Sequence, residues 1–463
     1  MHSRESGRFR DETVQKDPDD ILRDDRAYVW HPFTWMPRYL AREALVITGA
    51  EGIYLIAADG RPFMDGTASM WLNVHGHNRP EIREAIVAQL DRFTHVSVFG
   101  QTHAPAAELA RRLVEVTAAG LNHVFYSDDG ATAVEVALKL AFQHAQIRGE
   151  TNRTKFLALR HAYHGDTLGA VSVGDIEHFH HAFRPLLFEC IHAPSPGCAH
   201  CELGRDMTYC EIACLDELEK IMARQAAHLC AFVVEPIVQG AAGMLVAKEG
   251  YLRGARDLCT RHGVPMISDE VFTGFGRTGR MFACEHEDVS PDILCLAKGL
   301  TGGTIPLAAT LTTDGIFEAF LGDDPARCTF FHGHSYTANP LGCAAALASL
   351  GLFEKDGTLA HVRALEEVIA SDAGRFRELP HASGVRFKGL VFAFDVVADE
   401  APLKPYDASE RMGQKVCDAA MTRGLLIRPL GDTVYLVPPL VTTEAQLRQM
   451  LDIVHDAVRE VTG

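Results

Sequence analysis

The sequence predicts an α/β protein in which a doubly wound, mostly parallel sheet forms a large domain and a smaller α+β domain follows it. Between residues 78 and 345, short apolar runs alternate with amphipathic helical windows, as in a sheet that helices cover on both faces. From residue 346 onward, helical runs are followed by strand candidates. The length of 463 residues, of which 47% are hydrophobic, allows a large core and a second domain.

The N-terminal region is expected to have two parts. Residues 1–26 are dense in charge and contain no apolar run of the kind that a signal peptide needs. We therefore expect a solvated arm that need not be ordered. Residues 27–77 contain strand signals at Ala44–Ile47 and Ile53–Ala57, and we expect this segment to pack with the small domain.

The predicted large domain, residues 78–345, contains strand candidates that are apolar runs bounded by polar or turn-forming residues. These strand candidates are His123–Ser127, Lys155–Leu159, Ala231–Glu235, Pro265–Ser268, Ile293–Ala297 and Leu307–Thr312. Helical windows between them include Thr132–Gln146, Leu215–Arg224 and Tyr251–His262. The alternation predicts one sheet that is buried on both faces.

The predicted small domain, residues 346–463, begins with helical runs at Ala346–Phe353 and Leu359–Leu379. Its strand candidates are Val385–Val396, Leu425–Arg428 and Val434–Val437. The domain ends with an amphipathic helix over Glu444–Val461. The apolar stripe of that helix consists of Leu447, Met450, Leu451, Val454 and Val458.

Charge and composition disfavour several classes of function. The net charge of −17 repels phosphate backbones, so binding of nucleic acid is not expected. Every apolar stretch is far shorter than the ~18 residues that a membrane span needs, so no membrane partner is expected. The twelve cysteines lack the spacing of a small disulfide-rich domain, which favours reduced thiols and a cytoplasmic location.

In a doubly wound sheet, ligands bind beyond the carboxyl ends of the strands, so polar residues at those ends are candidate site residues. Lys298 directly follows the apolar run Ile293–Ala297 and precedes glycines. Partial burial there lowers the pKa of an amine and gives a nucleophile suited to Schiff-base chemistry. An equally good interpretation is a lysine that extends to the rim of the sheet and keeps its charge in water.

Two further strand ends carry candidate groups. Asp269 follows the run Pro265–Ser268 and could hold a protonated pyridine nitrogen, although a metal ligand or a helix N-cap would explain it equally well. The residues Gly130, Ala131 and Thr132 stand between a strand and a helix. Free N–H groups and a hydroxyl at such a place form an anion site for a phosphate; an ordinary strand-to-helix turn is the alternative.

Longer motifs connect these positions. The stretch from Ile267 to Gly279, followed by Lys298 at 29 residues after Asp269, resembles the signature of the class III (ω-amino acid) aminotransferases, pyridoxal-phosphate enzymes of fold type I. The resemblance covers nearly the whole chain from about Trp30, and within the family it is to the branch that acts on 8-amino-7-oxononanoate in biotin synthesis. Further stretches that carry it are Trp30–Thr34, Trp71–Gly76, Tyr163–Thr167, Val234–Gly243, Gly299–Thr304, His332–Pro340, Ile427–Gly431 and Tyr435–Pro439.

The resemblance implies a role for each matching position. Lys298 would bind pyridoxal 5′-phosphate and move a proton, Asp269 would pair with the pyridinium nitrogen, and Tyr163 would stack on the ring. The phosphate would be bound by Gly130, Ala131 and Thr132, together with Ser335 of the neighbouring subunit in a homodimer. The substrate would be contacted by Phe33, Met70, Trp71, Asp166, Gly333, Arg428 and Tyr435.

Four positions depart from the family pattern. Phe33 stands where many members have tyrosine, and Met70 replaces the first residue of a common tryptophan pair; both leave the amino donor open. Ala131 stands where serine is usual, so only its backbone N–H can bind phosphate. Phe272 stands where many other members have glutamine, which fits the biotin branch better than its relatives.

Simpler interpretations stay open for single residues. Arg428 could be a surface ion-pair residue, and Trp71 could be an ordinary core residue. No histidine spacing resembles a known ligand set, so no catalytic metal is expected. Four cysteines in one Pro- and Gly-containing loop could hold a structural zinc ion or remain free thiols. These cysteines are Cys198, Cys201, Cys210 and Cys214.

The expected function is transamination of 8-amino-7-oxononanoate to 7,8-diaminononanoate, with S-adenosylmethionine or lysine as the amino donor. Arg428 and Tyr435 favour this acceptor, because a turn at Gly431–Asp432 would let both converge on one carboxylate pocket. The nearest rival is a broad ω-transaminase that passes an amino group from a diamine or ω-amino acid to pyruvate. A non-catalytic pyridoxal-phosphate-binding regulator would need an appended basic DNA-binding domain, and the sequence shows none.

Overall fold

The computed structural model describes residues 17–400 and 403–463. Its first elements are α1 (Pro18–Tyr28), α2 (Met36–Leu40), β1 (Ile47–Glu51), β2 (Tyr54–Ala57), β3 (Pro62–Asp65) and α3 (Ala68–Trp71), a left-handed turn. Helix α1 begins at Pro18 because Asp17 caps it and accepts the N–H of Asp19. Residues 18–26 of the expected arm are therefore helical. Residues 1–16 of that arm lie outside the described residues.

The next part of the chain alternates strands and helices. Its helices are α4 (Pro80–Leu90), α5 (Ala104–Val116), α6 (Gly130–Ile147), α7 (Leu168–Val173), α8 (Glu177–His180), α9 (Ala213–Gln225), α10 (Tyr251–His262), α11 (Asp314–Ala319), α12 (Pro325–Cys328) and α13 (Pro340–Lys355). Its strands are β4 (Leu121–Ser127), β5 (Lys155–Leu159), β6 (Cys190–Ala193), β7 (Leu229–Val234), β8 (Val238–Gln239), β9 (Leu245–Val246), β10 (Met266–Asp269), β11 (Ile293–Leu296) and β12 (Ala308–Thr313).

Seven of these strands form one sheet in the order β4-β12-β11-β10-β7-β5-β6. Neighbouring strands are parallel except at β12, which runs antiparallel to β11 and β4. Every residue of β7 is buried, as in a sheet that helices cover on both faces. The prediction of a doubly wound, mostly parallel sheet is confirmed. Strand β6 was missed because it is an edge strand, only partly buried, with little apolar pattern.

The C-terminal part contains α14 (Thr358–Arg377), β13 (Ala382–Lys388), β14 (Val391–Glu400), β15 (Leu403–Pro405), α15 (Met412–Thr422), β16 (Leu425–Leu426), β17 (Thr433–Leu436) and α16 (Glu444–Thr462). The predicted apolar stripe of α16 is completely buried: Leu447, Met450, Leu451, Val454 and Val458 are each 0% exposed. In the parts of the chain that the structure describes, every helix is too short or too polar to cross a bilayer.

The predicted single strand Val385–Val396 is in fact a hairpin. Strands β13 and β14 pair antiparallel, with Lys388 opposite Val391, so the chain reverses at Gly389. This glycine has a φ of +55°, and a Cβ on it would lie 2.5 Å from the carbonyl oxygen of Arg277. Only glycine fits such a turn. Because apolar residues stand on both sides of Gly389, the hydrophobicity pattern of the sequence did not reveal the turn.

A cluster of polar side chains around a buried ion pair fixes this hairpin. Arg386 lies with Nη1 at 2.7 Å and Nη2 at 3.0 Å from the two carboxylate oxygens of Asp395, and Nε2 of His200 lies 3.0 Å from the same carboxylate. Burial raises the pKa of Asp395, but these contacts outweigh it and hold that pKa below its usual value. The cluster joins the hairpin to the cysteine-containing loop on which His200 lies.

The N-terminal strands share a sheet with the C-terminal part. Strand β3 pairs in parallel with β16, with Met64 opposite Leu425. The strand signal at Ala44–Ile47 was displaced: β1 begins at Ile47 and pairs with β2. Strand β1 is mostly exposed, so its residues show little of the apolar pattern that marks a strand in sequence.

The boundary expected between residues 345 and 346 falls inside helix α13, which packs against α4 and α5. A domain boundary cannot divide a continuous helix that packs on the large sheet's own helices. We therefore propose that the C-terminal domain begins after Lys355.

One buried cation joins the two parts of the chain. Arg277 is 1% exposed, and its Nη1 donates to the carbonyl oxygens of Leu390 at 3.3 Å and Pro438 at 2.6 Å. Burial lowers its pKa to about 9, although the charge of Asp65 opposes this effect. The guanidinium thus connects the loop after β10 with two C-terminal segments.

Candidate active site

Strands β4, β7, β10 and β11 end around one cavity. Its volume is about 640 Å³, within the usual range for a small-molecule site. Among its lining residues are Gly130, Glu235, Asp269 and Lys298. The three strand-end positions singled out in the sequence therefore lie around a single space.

Lys298 lies two residues after the end of β11 and has a left-handed backbone, with a φ of +43°. Its Nζ lies 5.2 Å from the centre of the Trp71 ring and 6.0 Å from that of Phe272. Burial lowers the pKa of this amine, and the negative charges of Asp269 and Glu235 oppose that effect without cancelling it. A lowered pKa leaves more of the amine unprotonated and nucleophilic. Lys298 lines the cavity, so the interpretation as a rim lysine is wrong.

Asp269, the last residue of β10, is 5% exposed. Its Oδ1 accepts the N–H of Val271 at 3.0 Å, and its Oδ2 lies 2.7 Å from Nδ1 of His164. Burial lowers the pKa of His164, but the hydrogen bond and charge of Asp269 outweigh burial and raise it. The imidazole of His164 thus holds the Asp269 side chain in place on the side away from Val271. Sequence reasoning did not assign His164 to the site; its position next to Tyr163 was the available signal.

Glu270, the neighbour of Asp269, does not line the cavity. Its carboxylate accepts the N–H groups of Ala283 at 2.6 Å and Cys284 at 2.8 Å, and the hydroxyl of Thr273 at 3.0 Å. Burial raises its pKa to about 7. Of the two adjacent carboxyl groups, only that of Asp269 can meet a ligand in the cavity.

Glu235, which follows β7, is a further carboxyl group at the cavity that the sequence did not single out as a site residue. It accepts the N–H of Tyr163 at 3.1 Å and that of Gly240 at 2.9 Å. Burial raises its pKa to about 7, so its charge changes near neutral pH. The motif Val234-Glu235-Pro236 at the end of a buried strand was the signal that could have identified it.

Helix α6 begins at the cavity wall, where Gly130 and Ala131 line the space. Thr132 donates its N–H to the Asp129 carboxylate at 2.9 Å, and its hydroxyl accepts the Asp129 N–H at 2.9 Å. The expected phosphate contact of Thr132 is therefore corrected, because this reciprocal capping occupies both groups. A Cβ on Gly130 would lie 2.5 Å from Val271. The first N–H groups of the helix, on Gly130 and Ala131, have no acceptor within it and can serve an anion.

The left-handed turn α3 carries an aromatic wall of the cavity. Its four residues have φ values between 47° and 72°, a conformation that costs roughly 1–2 kcal/mol for each residue other than glycine. Trp71 is 7% exposed, its Nε1 donates to the hydroxyl of Tyr435 at 3.3 Å, and its ring centre lies 4.8 Å from that of Phe272. Trp71 is thus both a packed residue and a lining residue.

A wider channel of about 2190 Å³ adjoins the cavity, and Asp166 lines both spaces. The hydroxyl of Tyr163 donates to Asp166 at 2.8 Å. Phe33 and Arg428 line the channel, where Arg428 Nη2 donates to the Phe33 carbonyl oxygen at 3.4 Å and Nη1 lies 3.8 Å from the sulfur of Met70. Among the residues that the structure describes, Arg428 has no carboxylate partner. Its interpretation as a surface ion-pair residue is therefore wrong.

Arg428 and Tyr435 do not reach the same space. The predicted turn at Gly431–Asp432 is present, because Leu430 and Thr433 exchange backbone hydrogen bonds. Tyr435, however, is 1% exposed and lines neither cavity nor channel. The expected contact between Tyr435 and the substrate is corrected: its hydroxyl accepts the indole N–H of Trp71 and supports the aromatic wall.

Gly333 and Ser335 lie outside both spaces in this chain. Both residues are exposed, and the carbonyl oxygen of Ser335 lies 2.7 Å from Nε2 of His95. A contact of Ser335 with a phosphate therefore depends on a second copy of the chain.

The cysteine loop holds four free thiols: Cys198, Cys201, Cys210 and Cys214. The sulfur of Cys201 accepts the N–H of Arg205, and that of Cys210 accepts the N–H of Ala213, both at 3.4 Å. Within residues 17–400 and 403–463, no group of three or more potential ligands is arranged to hold a metal ion.

Comparisons with known proteins agree with this geometry. The family model described as aminotransferase class-III matches residues 38–458. A protein of Nitratidesulfovibrio vulgaris named adenosylmethionine-8-amino-7-oxononanoate aminotransferase is 50% identical over 440 residues, which are 95% of this chain and 81% of that protein.

Solved structures are similar over almost the entire chain. The crystal structure of adenosylmethionine-8-amino-7-oxononanoate aminotransferase from Methanocaldococcus jannaschii matches with a TM-score of 0.91 and 40% identity, covering 96% of this chain and 99% of that one. An (S)-enantioselective ω-transaminase from Thermomicrobium roseum matches with a TM-score of 0.92 and 31% identity, covering 97% and 99%.

Proposed function

The chain belongs to the class III aminotransferase family, and on that premise we propose that it transfers an amino group to 8-amino-7-oxononanoate in biotin synthesis. It is an aminotransferase that depends on pyridoxal 5′-phosphate and has the fold of type I. The product is 7,8-diaminononanoate, and the donor is S-adenosylmethionine or lysine. The observation that carries the choice of acceptor is Arg428, a guanidinium in the channel that has no carboxylate partner among the described residues, because the acceptor has a carboxylate far from its keto group.

The residues around the cavity fit this cofactor. The N-terminus of α6, at Gly130 and Ala131, would bind its phosphate, and the carboxylate of Asp269 would hold the protonated ring nitrogen. The amine of Lys298 would attach it covalently, and Tyr163 would lie against its ring. When bound, the cofactor withdraws electrons from the substrate carbon that carries the amino group, which makes the proton on that carbon removable.

The chain's own residues would perform the remaining tasks. Lys298 would take up and return the substrate proton, because its lowered pKa keeps part of the amine unprotonated. Asp269 would be kept in position by its contact with His164. Tyr163 would keep its orientation through the hydroxyl contact with Asp166. Trp71 would exclude water from the reacting atoms.

A broad ω-transaminase is the alternative, since the structure from Thermomicrobium roseum carries that name at 31% identity. Both functions would use the same cofactor residues. The channel distinguishes them, because Lys298 lines the cavity whereas Arg428 lines the adjoining channel, an arrangement that suits an acceptor whose carboxylate is far from its keto group. The relative at 50% identity gives the biotin acceptor the stronger support.

Two half-reactions test the proposal. The purified yellow enzyme is mixed with S-adenosylmethionine or with lysine, and loss of the yellow colour identifies the donor. Addition of 8-amino-7-oxononanoate should restore the colour, whereas pyruvate should restore it slowly or not at all. Equal rates with pyruvate would instead support the broad ω-transaminase.

We also propose that the active enzyme is a homodimer with its sites at the subunit interface. Ser335 lies outside its own chain's cavity, and large aromatic residues close to it are exposed, among them Phe331 at 75% and Tyr336 at 62%. Sedimentation should give the mass of a dimer, and Ser335→Ala should weaken binding of the cofactor. A monomer with full activity would contradict this arrangement.

A cytoplasmic location is part of the proposal. All twelve cysteines lie in the described part of the chain and are free, which is typical of proteins in a reducing compartment. Fractionation of cells that express the protein, followed by immunoblotting, tests this location.

A further inference from the structure

The left-handed turn α3 contains no glycine, so its conformation must be held by contacts from outside the turn. Asp65, the last residue of β3, is 1% exposed and lies three positions before the first residue of the turn. We propose that Asp65 is a positioning residue whose carboxylate clamps the turn and thereby fixes Trp71 beside Lys298. The predicted effect on the keto acid rests on the proposed function, whereas the clamp itself does not.

The carboxylate of Asp65 accepts hydrogen bonds from both ends of the segment. Its Oδ1 accepts the N–H of Thr67 at 3.2 Å, and its Oδ2 accepts the hydroxyl of Ser69 at 2.7 Å. The same Oδ2 lies 2.9 Å from Nε2 of His77. The side-chain amide of Asn73 donates to Nδ1 of that ring at 3.1 Å, which leaves the proton on Nε2. One carboxylate therefore joins the first residues of the turn to a residue beyond its end.

The histidine that contacts Asp65 is itself held in place, and Asp65 is charged. The backbone N–H of His77 donates to the carbonyl oxygen of Gly52 at 2.6 Å, so the main chain that carries the imidazole is anchored to the β1–β2 hairpin. Burial raises the pKa of Asp65, but the hydrogen bonds from His77 and Ser69 outweigh it and hold that pKa below its usual value. Asp65 is therefore a carboxylate at neutral pH, the stronger of its two acceptor states.

The turn connects the two ends of the path that a long substrate must span. At one end, the Trp71 ring lies 5.2 Å from Nζ of Lys298. At the other end, the sulfur of Met70 lies 3.8 Å from Nη1 of Arg428. Because both side chains project from consecutive residues of α3, a loosened turn would disturb the spacing between amine and carboxylate site. No reacting group would be lost, so binding should suffer more than the chemical step.

The first test follows Trp71 itself and needs no turnover. The chain has three tryptophans, and Trp30 and Trp35 are 87% and 71% exposed. The full-length double variant Trp30→Phe, Trp35→Phe therefore leaves Trp71 as the single fluorophore, measured with the cofactor removed. Ser69→Ala deletes one hydroxyl without changing the backbone cost, and should raise the acrylamide quenching constant of Trp71 about twofold or more.

The control variant removes a similar carboxylate–histidine contact that is far from the turn in sequence. Asp314 is exposed, and its carboxylate lies 2.8 Å from Nε2 of His123, the same pairing as between Asp65 and His77. Asp65→Asn should raise the quenching constant as Ser69→Ala does, and Asp314→Asn should leave it unchanged. Unchanged quenching in both clamp variants would overturn the proposal.

The second test uses the loaded enzyme. Ser69→Ala should raise the KM for the keto acid about tenfold, because the loss of a hydrogen bond to a charged group typically changes an equilibrium constant by about that factor. The kcat should stay within about twofold. Equal losses of kcat and thermal stability without a change in KM would mean an ordinary structural role and would overturn the proposal. If the parent enzyme does not convert the keto acid at all, the proposed function fails, and the quenching comparison still decides on the clamp.

Discussion

Replacement of Arg428 by alanine should raise the KM for 8-amino-7-oxononanoate about ten- to a hundredfold. A hydrogen-bonded contact between a guanidinium and a carboxylate typically contributes about 1.5–3 kcal/mol, and about 1.4 kcal/mol corresponds to a factor of ten. In this structure the substrate would displace only weak partners of Arg428, the Phe33 carbonyl oxygen at 3.4 Å and the Met70 sulfur at 3.8 Å. Little of the gain is therefore offset by lost protein contacts.

The assay is steady-state kinetics at a fixed donor concentration, combined with the donor half-reaction alone. A donor that does not use Arg428 should react at nearly the normal rate, whereas Arg428→Lys should give an intermediate KM because lysine keeps the charge but loses the planar fork. Arg423→Ala is the matched control, since Arg423 lies five positions earlier and pairs with Glu460 at the surface. An unchanged KM in Arg428→Ala, with pyruvate accepted equally well, would refute the assignment of the acceptor.

Three further outcomes are expected. Lys298→Ala should abolish turnover while part of the cofactor binding survives, and borohydride should fix the cofactor of the unaltered enzyme on a peptide that contains Lys298; a label on another lysine would contradict this role. Asp269→Asn should keep the fold but lose about 10²–10⁴-fold in rate, because a neutral amide cannot hold a protonated ring nitrogen; near-normal turnover would contradict this role of Asp269. The depressed pKa of Asp395 should stabilise the fold above the unfolded-state pKa near 3.8, and this contribution should disappear as the pH falls through the lower folded-state pKa. Urea unfolding at pH 7 and in acid should therefore show a smaller acid loss in Asp395→Asn than in the unaltered protein; equal losses would refute the linkage.

The strand-end residues could be predicted because buried parallel strands appear in the sequence as continuous apolar runs. An apolar run that stops at Asp269 or Lys298 marks the carboxyl end of a strand, and topology then brings such ends together. Thr132 shows where this reasoning fails. Helix capping and phosphate binding use the same residue types in the same turn, and only the hydrogen bonds of Asp129 decide between them.

The supporting residues of the site could not be predicted locally. Alternation along a strand indicates which face Tyr435 occupies, but its depth of burial depends on how Trp71 packs over it. The left-handed turn contains no glycine and no other residue type that would indicate its backbone conformation in the sequence. Its conformation depends on Asp65 and His77, and the pairing between residues twelve positions apart is a tertiary contact that no sequence window contains.

The buried Arg277 connects the loop after β10 with two C-terminal segments, and the two sides of this connection differ in how well they tolerate substitution. Its acceptors are main-chain carbonyl groups, at positions 390 and 438, and every amino acid supplies a carbonyl. Replacements on the C-terminal side therefore leave both acceptors in place, whereas a replacement of Arg277 by a residue without a side-chain N–H removes the donor of both bonds at once. Laboratory evolution of the substrate range can draw its diversity from the C-terminal half while position 277 is held constant.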